Sequence, residues 1–313
     1  MEIRKGSKVA VLMGGMSTER EISFKSGRAV LKALQSLGWD AVGVDVGPDL
    51  PAQLGACGAE VAWIALHGQF GEDGCVQGLL EILRIPYTGS SVHGSAAAMD
   101  KSTTKRLLMD TAIQLPQDWL WKAGDPLPED LLYPIVAKTP EGGSTLGIEI
   151  CADEESLRAA LVRLSDMDDR VLLEAFVAGT EITVAVLDGE ALPVVAILPD
   201  SGFFDFEAKY TKGATRYVVP AELPESVSAK ARADAVLACE RLELGGVARA
   251  DFIVDEKGIP WFLEVNTIPG MTATSLSPMA ADAVGLSFPE LVERVLLGAR
   301  LHLKRWDETR GPE

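Results

Sequence analysis

Apolar positions along the chain follow two periods. The runs at residues 8–13, 39–46 and 61–66 are nearly continuous, as expected of strands buried on both faces. Between the first two, Ile22, Ala29, Val30, Ala33, Leu34 and Leu37 recur at helical spacing. Thr18 and Glu21 are spaced as a capping box, so this helix is expected to begin near Ser17 and Thr18 and to close at Gly38. Strand, helix and strand in that order predict a small parallel-sheet unit whose ligands gather at the carboxyl ends of its strands. Those ends carry Gly14, Gly15, Ser17 and Glu19 after the first strand, and the run HGQFGEDG from His67 to Gly74 after the third. Further on, helices are expected over residues 153–164, 225–242 and 288–301. Strands are expected over 132–138 and 170–177, with a hairpin over 182–198 turning at Asp188 and Gly189. The expected class is therefore α/β joined to α+β.

A second hairpin carries the clearest chemistry. Phe252, Ile253 and Val254 lead into the turn Asp255-Glu256-Lys257-Gly258, and a return strand over 261–266 brings Glu264 and Asn266 to one face by period-two alternation. Asp251, read as the mouth of the first strand, can lie across from them. Hard cations select such oxygens, and Mg²⁺ typically takes one or two carboxylates and completes its shell with water and phosphate. The competing reading is a surface hairpin with scattered acids. Against it stands the cost of burying a polar group without a partner, about 2–7 kcal/mol, which a cation would remove.

Other segments look toward anions. His67 is either a satisfied core histidine or, in a three-glycine loop that opens a helix at Gly74, part of a site for a substrate carboxylate. Lys138 ends a strand and is followed by Gly142, Gly143, Ser144, Thr145 and Gly147, whose backbone N–H groups and hydroxyls suit phosphate oxygens. No Gly-Lys-Ser/Thr follows, so this is not a Walker A loop. Glu174 and Glu181 could accept from an adenine amino group or ribose hydroxyls, or could be strand-edge charges. Residues 200–217 place Phe203, Phe204, Phe206, Tyr210 and Tyr217 around Lys209 and Lys212 without a clean period, the profile of a lid.

Composition narrows the partners. The 313 residues carry a formal net charge of −17, which argues against nucleic acid or an anionic membrane surface and leaves small ligands. Cys57, Cys75, Cys151 and Cys239 form no CxxC pair, so neither a zinc site nor a disulfide framework is expected, and a reducing, cytoplasmic setting is. The N-terminal apolar run is a strand and not a signal peptide, and no stretch approaches the roughly 20 apolar residues of a membrane span.

Taken in order, GGMSTEREIS, HGQFGEDG, MDKSTTK, the strand lysine followed by EGGSTLG, EAKY, RADF and LEVNTIPGMTATSL closely resemble the D-alanine-D-alanine ligase family of the ATP-grasp superfamily. The resemblance runs from about Val9 to Leu303. It implies an ATP-grasp fold with an N-terminal Rossmann-like parallel-sheet domain: an N-terminal substrate domain at 1–98, a central subdomain at 99–178 and a C-terminal subdomain at 179–313 that carries the lid and the metal site. The implied activity is ATP-dependent joining of two D-alanines through a D-alanyl phosphate, for peptidoglycan precursors. The alternatives are a D-alanine-D-lactate ligase or another ATP-grasp carboxylate-amine ligase. The implied ATP contacts are Lys101, Lys138, Gly143, Ser144, Thr145 and Lys209 on the phosphates, and Glu174, Ala175, Phe176, Val177 and Glu181 on adenine and ribose. Asp251, Glu264 and Asn266 would hold two Mg²⁺ or Mn²⁺ ions, and a monovalent cation is a further candidate. Glu19 would meet the first ammonium and His67 would lie near its carboxylate. Ser275 and Leu276 would hold the second substrate, and Arg249 with the N–H of Gly270 would stabilise the oxyanion. Tyr210 would bond toward Ser144 and Glu19 when the lid closes. A homodimer is implied as well.

Overall fold

The computed structural model describes residues 3–142, 147–199 and 215–303. β1 (Lys8–Met13) is buried from Val9 onward and runs between β2 (Asp40–Asp45) and β3 (Val61–Ile64), parallel to both. α1 (Arg20–Ser36) crosses this sheet, with Val30, Ala33 and Leu34 buried and Ile22, Ala29 and Leu37 half-buried. It lies close because Gly27 has no Cβ: one placed there would stand 2.4 Å from Met13 Cβ. The capping box expected of Thr18 and Glu21 does not form. The helix starts at Arg20 behind Glu19 without a side-chain cap. Ser17 governs this corner instead, its Oγ accepting from Glu19 N at 3.2 Å and donating to His67 O at 2.6 Å. α2 (Leu50–Cys57) and α3 (Cys75–Leu83) complete the other face, packing Leu54 and Leu80 on Ala10, Leu12 and Ile64.

α4 (Val92–Met99) and α5 (Lys101–Leu108) follow, and Asp100 caps α5 by accepting from Thr103 N at 2.7 Å. β4 (Asp118–Lys122), β5 (Ile135–Lys138), β6 (Ile148–Cys151) and β7 (Arg170–Ala175) form an antiparallel sheet of order β4-β7-β5-β6. α6 (Glu154–Ser165) covers one face of it with Leu157, Ala160, Leu161 and Leu164, and begins in a reciprocal Asp153–Ser156 cap.

The third sheet is built from β8 (Thr180–Leu187), β9 (Glu190–Ala191), β10 (Val195–Pro199), β11 (Thr215–Val218), β12 (Val247–Val254) and β13 (Pro260–Asn266). Its order is β11-β10-β8-β12-β13, with β9 paired to β8. Residues 200–214 of the expected lid lie outside the described residues, while Thr215, Arg216 and Tyr217 belong to a strand antiparallel to β10. α7 (Glu225–Arg241) packs Ala231, Ala235 and Ala238 onto this sheet. α8 (Leu276–Asp282) and α9 (Phe288–Leu297) return to the first sheet, where Leu291, Val292 and Val295 join Val9, Val11, Leu34, Leu187 and Val247 in one core. The last helix is shorter than expected and stops before Gly298.

The β12–β13 hairpin sets Asp251 opposite Glu264 as expected, whereas Asn266 stands opposite Arg249, with a bulge after Asp251. Asp251 is not at the strand mouth but inside β12, flanked by β8 and β13. No helix among the described residues is long and apolar enough to cross a membrane.

Candidate active site

A cleft of about 310 Å³ opens where the three sheets meet. Its walls bring together Glu19 from the start of α1, His67 from the loop after β3, Lys101 from α5, Arg249 from β12, and Glu264 and Asn266 from β13. Gly270, Ser275 and Leu276 come from the segment that leads into α8. These nine, all singled out in the sequence, share one cavity. Glu19 leans over Gly68, where a Cβ would meet its Oε2 at 2.8 Å.

His67 is buried, and burial holds its pKa down at about 4, with the Arg249 charge adding to the effect, so it is neutral near pH 7. Its Nε2 lies 3.0 Å from Ser26 Oγ, and the ring also bonds the backbone of Ile268. Ser26 Oγ accepts from Met271 N at 3.2 Å, which leaves its hydroxyl proton for the imidazole. One buried serine therefore ties α1, the His67 loop and the Gly270-Met271 turn together. Glu72 makes a second tie. Its Oε2 accepts from Gly68 N at 2.6 Å and its carboxyl bonds the backbone of Ile268. Burial, with the nearby Glu19 charge, pushes this acid up to about 8. Ser26 and Glu72, both lining the cleft, are not marked as site residues by the sequence; the only signal is the acid within the GEDG loop.

The two candidate metal carboxylates are held by cations. Asp251 is buried, receives the Arg249 fork at 2.9 and 2.8 Å and accepts from Thr183 Oγ1 at 2.5 Å. Glu264 pairs with Lys101 Nζ at 3.2 Å, and Asn266 Oδ1 accepts from Ile268 N at 3.0 Å. Two carboxylates facing each other across a ladder, with an amide oxygen two residues on, are a hard-oxygen set that fits a divalent cation sharing phosphate oxygens.

Of the candidate nucleotide residues, Lys101 lines this cleft. Lys101 donates to Gly142 O at 2.6 Å, at the start of the glycine loop. Lys138 Nζ sits 2.5 Å from Glu174 Oε2, while Lys105 closes on Glu174 Oε1. Burial alone would raise Glu174, but the charges of Lys138 and Lys105 outweigh it and hold this carboxyl below its ordinary range. Ala175, Phe176 and Val177 carry the chain from β7 toward β8 and line an open groove of about 1020 Å³ with Gln114, Gln117 and Trp261. Glu181 lies on β8 opposite Ile253. Gly143, Ser144, Thr145, Lys209 and Tyr210 lie outside the described residues.

A parallel-sheet unit followed by two antiparallel sheets around a cleft of lysines and acids defines an ATP-grasp type enzyme. Comparison with known proteins identifies which kind. Residues 113–297 match the family described as D-ala D-ala ligase C-terminus, and residues 50–90 match its N-terminus. The chain is 50% identical to a D-alanine–D-alanine ligase of Syntrophotalea carbinolica, over 94% of this chain and 96% of that one. It is 45% identical to the enzyme of that name from Geobacter sulfurreducens, over 96% of each. Among solved structures it resembles the D-alanine–D-alanine ligase of Bacillus anthracis complexed with ATP. That match has a TM-score of 0.83 and 32% identity, and covers 93% of this chain and 97% of the other. The chain belongs to the D-alanine–D-alanine ligase family.

Proposed function

We infer that this enzyme joins two D-alanines with ATP, forming D-alanyl-D-alanine, ADP and phosphate. The observation that carries the reading is the single cleft that gathers Glu19, Arg249, Gly270, Ser275 and Leu276 beside Lys101, Glu264 and Asn266. A carboxylate and an ammonium do not condense in water, so the first D-alanine must be activated, its carboxylate taking the γ-phosphoryl group of ATP. Glu19 holds the ammonium of this substrate. His67, neutral and fixed by Ser26, serves as a wall of the subsite. The amine of the second D-alanine, its carboxylate held near Ser275 and Leu276, attacks the acyl phosphate. Arg249 and the Gly270 N–H stabilise the oxyanion, and phosphate leaves. Lys101 and Lys138 bind the phosphates, with Ser144, Thr145 and Lys209 as further contacts and Tyr210 as a lid residue. Asp251, Glu264 and Asn266 would hold Mg²⁺, which when bound neutralises charge on the phosphates. ATP use and four free cysteines support a cytoplasmic setting. Relatives named for the dipeptide favour D-alanine over D-lactate as acceptor. The test is a coupled phosphate-release assay with mass analysis of products over D-alanine, D-lactate and other D-amino acids. D-Alanine-dependent release yielding the dipeptide is expected, and ATP consumption that ignores D-alanine would overturn the reading.

A further inference from the structure

Lys105 is one helical turn beyond Lys101 on α5 and has no role in the reaction described above. It is 2% exposed, as is Glu174, so two charges have been taken almost fully out of water. Its Nζ donates to Pro116 O at 3.1 Å, lies 3.8 Å from Asp118 Oδ1 and closes on Glu174 Oε1. The other Glu174 oxygen is taken by Lys138, 5% exposed, at the point where β5 enters the glycine loop. One carboxylate thus serves two lysines of unlike position: Lys105 is walled in by α5 and β4, whereas Lys138 ends its strand at the loop. If Glu174 had Lys138 alone, that lysine could not leave without stranding a buried charge, which is strongly unfavourable.

We propose that Lys105 is a positioning residue of the nucleotide site: it is the standing counter-charge of Glu174, and so lets Lys138 exchange that carboxylate for the phosphates of ATP. The inference rests on Lys138 being a phosphate-binding lysine. Without Lys105, Glu174 would clamp Lys138 and ATP would bind poorly, while the D-alanine subsites, on other elements, would be spared.

The experiment titrates a non-hydrolysable ATP analogue with Mg²⁺ into wild type, Lys105→Met, Glu174→Gln, the double variant and Lys138→Met, and measures melting temperature and the KM for D-alanine alongside. Lys105→Met is expected to weaken the analogue by about tenfold or more in the wild-type background but by less than about threefold when Glu174 is already Gln, since the charge to be balanced is then gone. The KM for D-alanine should stay within about twofold. Equal losses in both backgrounds, or a parallel loss for D-alanine with a lowered melting temperature, would make Lys105 a structural residue and overturn the proposal. If Lys105→Met does not fold by itself, the double variant against Glu174→Gln decides by the same threshold. Lys138→Met separates the two claims. Weakened binding there with unchanged binding in Lys105→Met sinks the Lys105 inference alone. Unchanged binding in Lys138→Met sinks the phosphate role of Lys138 and this inference with it.

Discussion

Replacing Glu72 by Gln should change how stability responds to pH, and the sign follows from where the carboxyl sits. Glu72 is buried beside the substrate cleft, and its pKa is raised from 4.5 to about 8 by burial and by the charge of Glu19. The folded protein therefore keeps this proton to higher pH than the unfolded chain does. Its contribution is fully present below pH 4.5, is lost progressively as pH rises toward 8, and changes no further above that. At about 1.4 kcal/mol per pH unit the full window is worth roughly 5 kcal/mol, an upper bound, since relaxation and water entering the cleft wall reduce it. Gln keeps a carbonyl to accept from Gly68 N but does not titrate. His67 works in the opposite direction at lower pH: with a folded pKa of about 4, its contribution is lost as pH falls from 6.5 to 4. It is present in both proteins and cancels in the difference. Urea unfolding of wild type and Glu72→Gln from pH 5 to 9 should give curves that diverge as pH rises, the wild type losing ground by several kcal/mol and levelling off near pH 8. A carbon-13 carboxyl signal absent from the variant should titrate over the same range. Parallel unfolding curves, with no carboxyl titrating above pH 6, would mean that Glu72 is ionised in the folded protein and that the two backbone donors outweigh its burial.

Three further outcomes are expected. Glu264→Gln should lower turnover at least about a hundredfold at saturating Mg²⁺ and ATP, the scale of losing a transition-state electrostatic contact; wild-type phosphate release would remove Glu264 from the metal site. Ser26→Ala removes the partner of the buried Met271 N–H and of His67 Nε2, a cost of about 1–3 kcal/mol. It should appear as a loss of roughly 5- to 150-fold in kcat/KM for D-alanine with the KM for ATP unchanged; a stability loss with intact kinetics would make the serine structural only. In Gly179→Ala the new Cβ would stand 2.1 Å from Val254 O, so the connection between β7 and β8 must shift. The penalty is at least the roughly 1–3 kcal/mol of overpacking, read as a lowered melting temperature, and an unchanged melting temperature would contradict this packing.

The elements legible in the sequence are those set by a single period. β1 is expected at residues 8–13 and is found there, its apolar run buried from Val9 onward between β2 and β3. The alternation in β13 likewise puts Glu264 on the face where Asp251 can oppose it, as the ladder has it. Boundaries controlled by local hydrogen bonds are harder to see. Thr18 and Glu21 have capping-box spacing, yet the start of α1 is governed by Ser17 reaching across to the backbone of His67, a partner 50 residues away. The same limit applies to the site. Glu174 reads as an acceptor for adenine or ribose because its strand position is visible, but its two lysines come from α5 and β5, and no local pattern pairs them. Ser26 carries no mark in the sequence, and only the fold reveals that it bridges His67 and Met271.

The pairing of charges in the cleft explains why its chemistry is only half written in any one residue. Each acid read as a metal ligand, or set beside the phosphate lysines, rests against a cation: Glu264 on Lys101, Asp251 on Arg249, Glu174 on Lys138 and Lys105. In a chain with a net charge of −17 these cations offset the mutual repulsion of the carboxylates around the cleft. On the proposed roles, a divalent cation at Glu264 would compete with Lys101 for that carboxylate, and a polyphosphate would draw Lys101 away from it. Arriving together, they would exchange partners, lysine to phosphate and carboxylate to metal. On those roles binding of the two would be coupled through Lys101 and Glu264, and by the same logic the buried Lys105 would let Lys138 take part in the exchange while Glu174 stays neutralised.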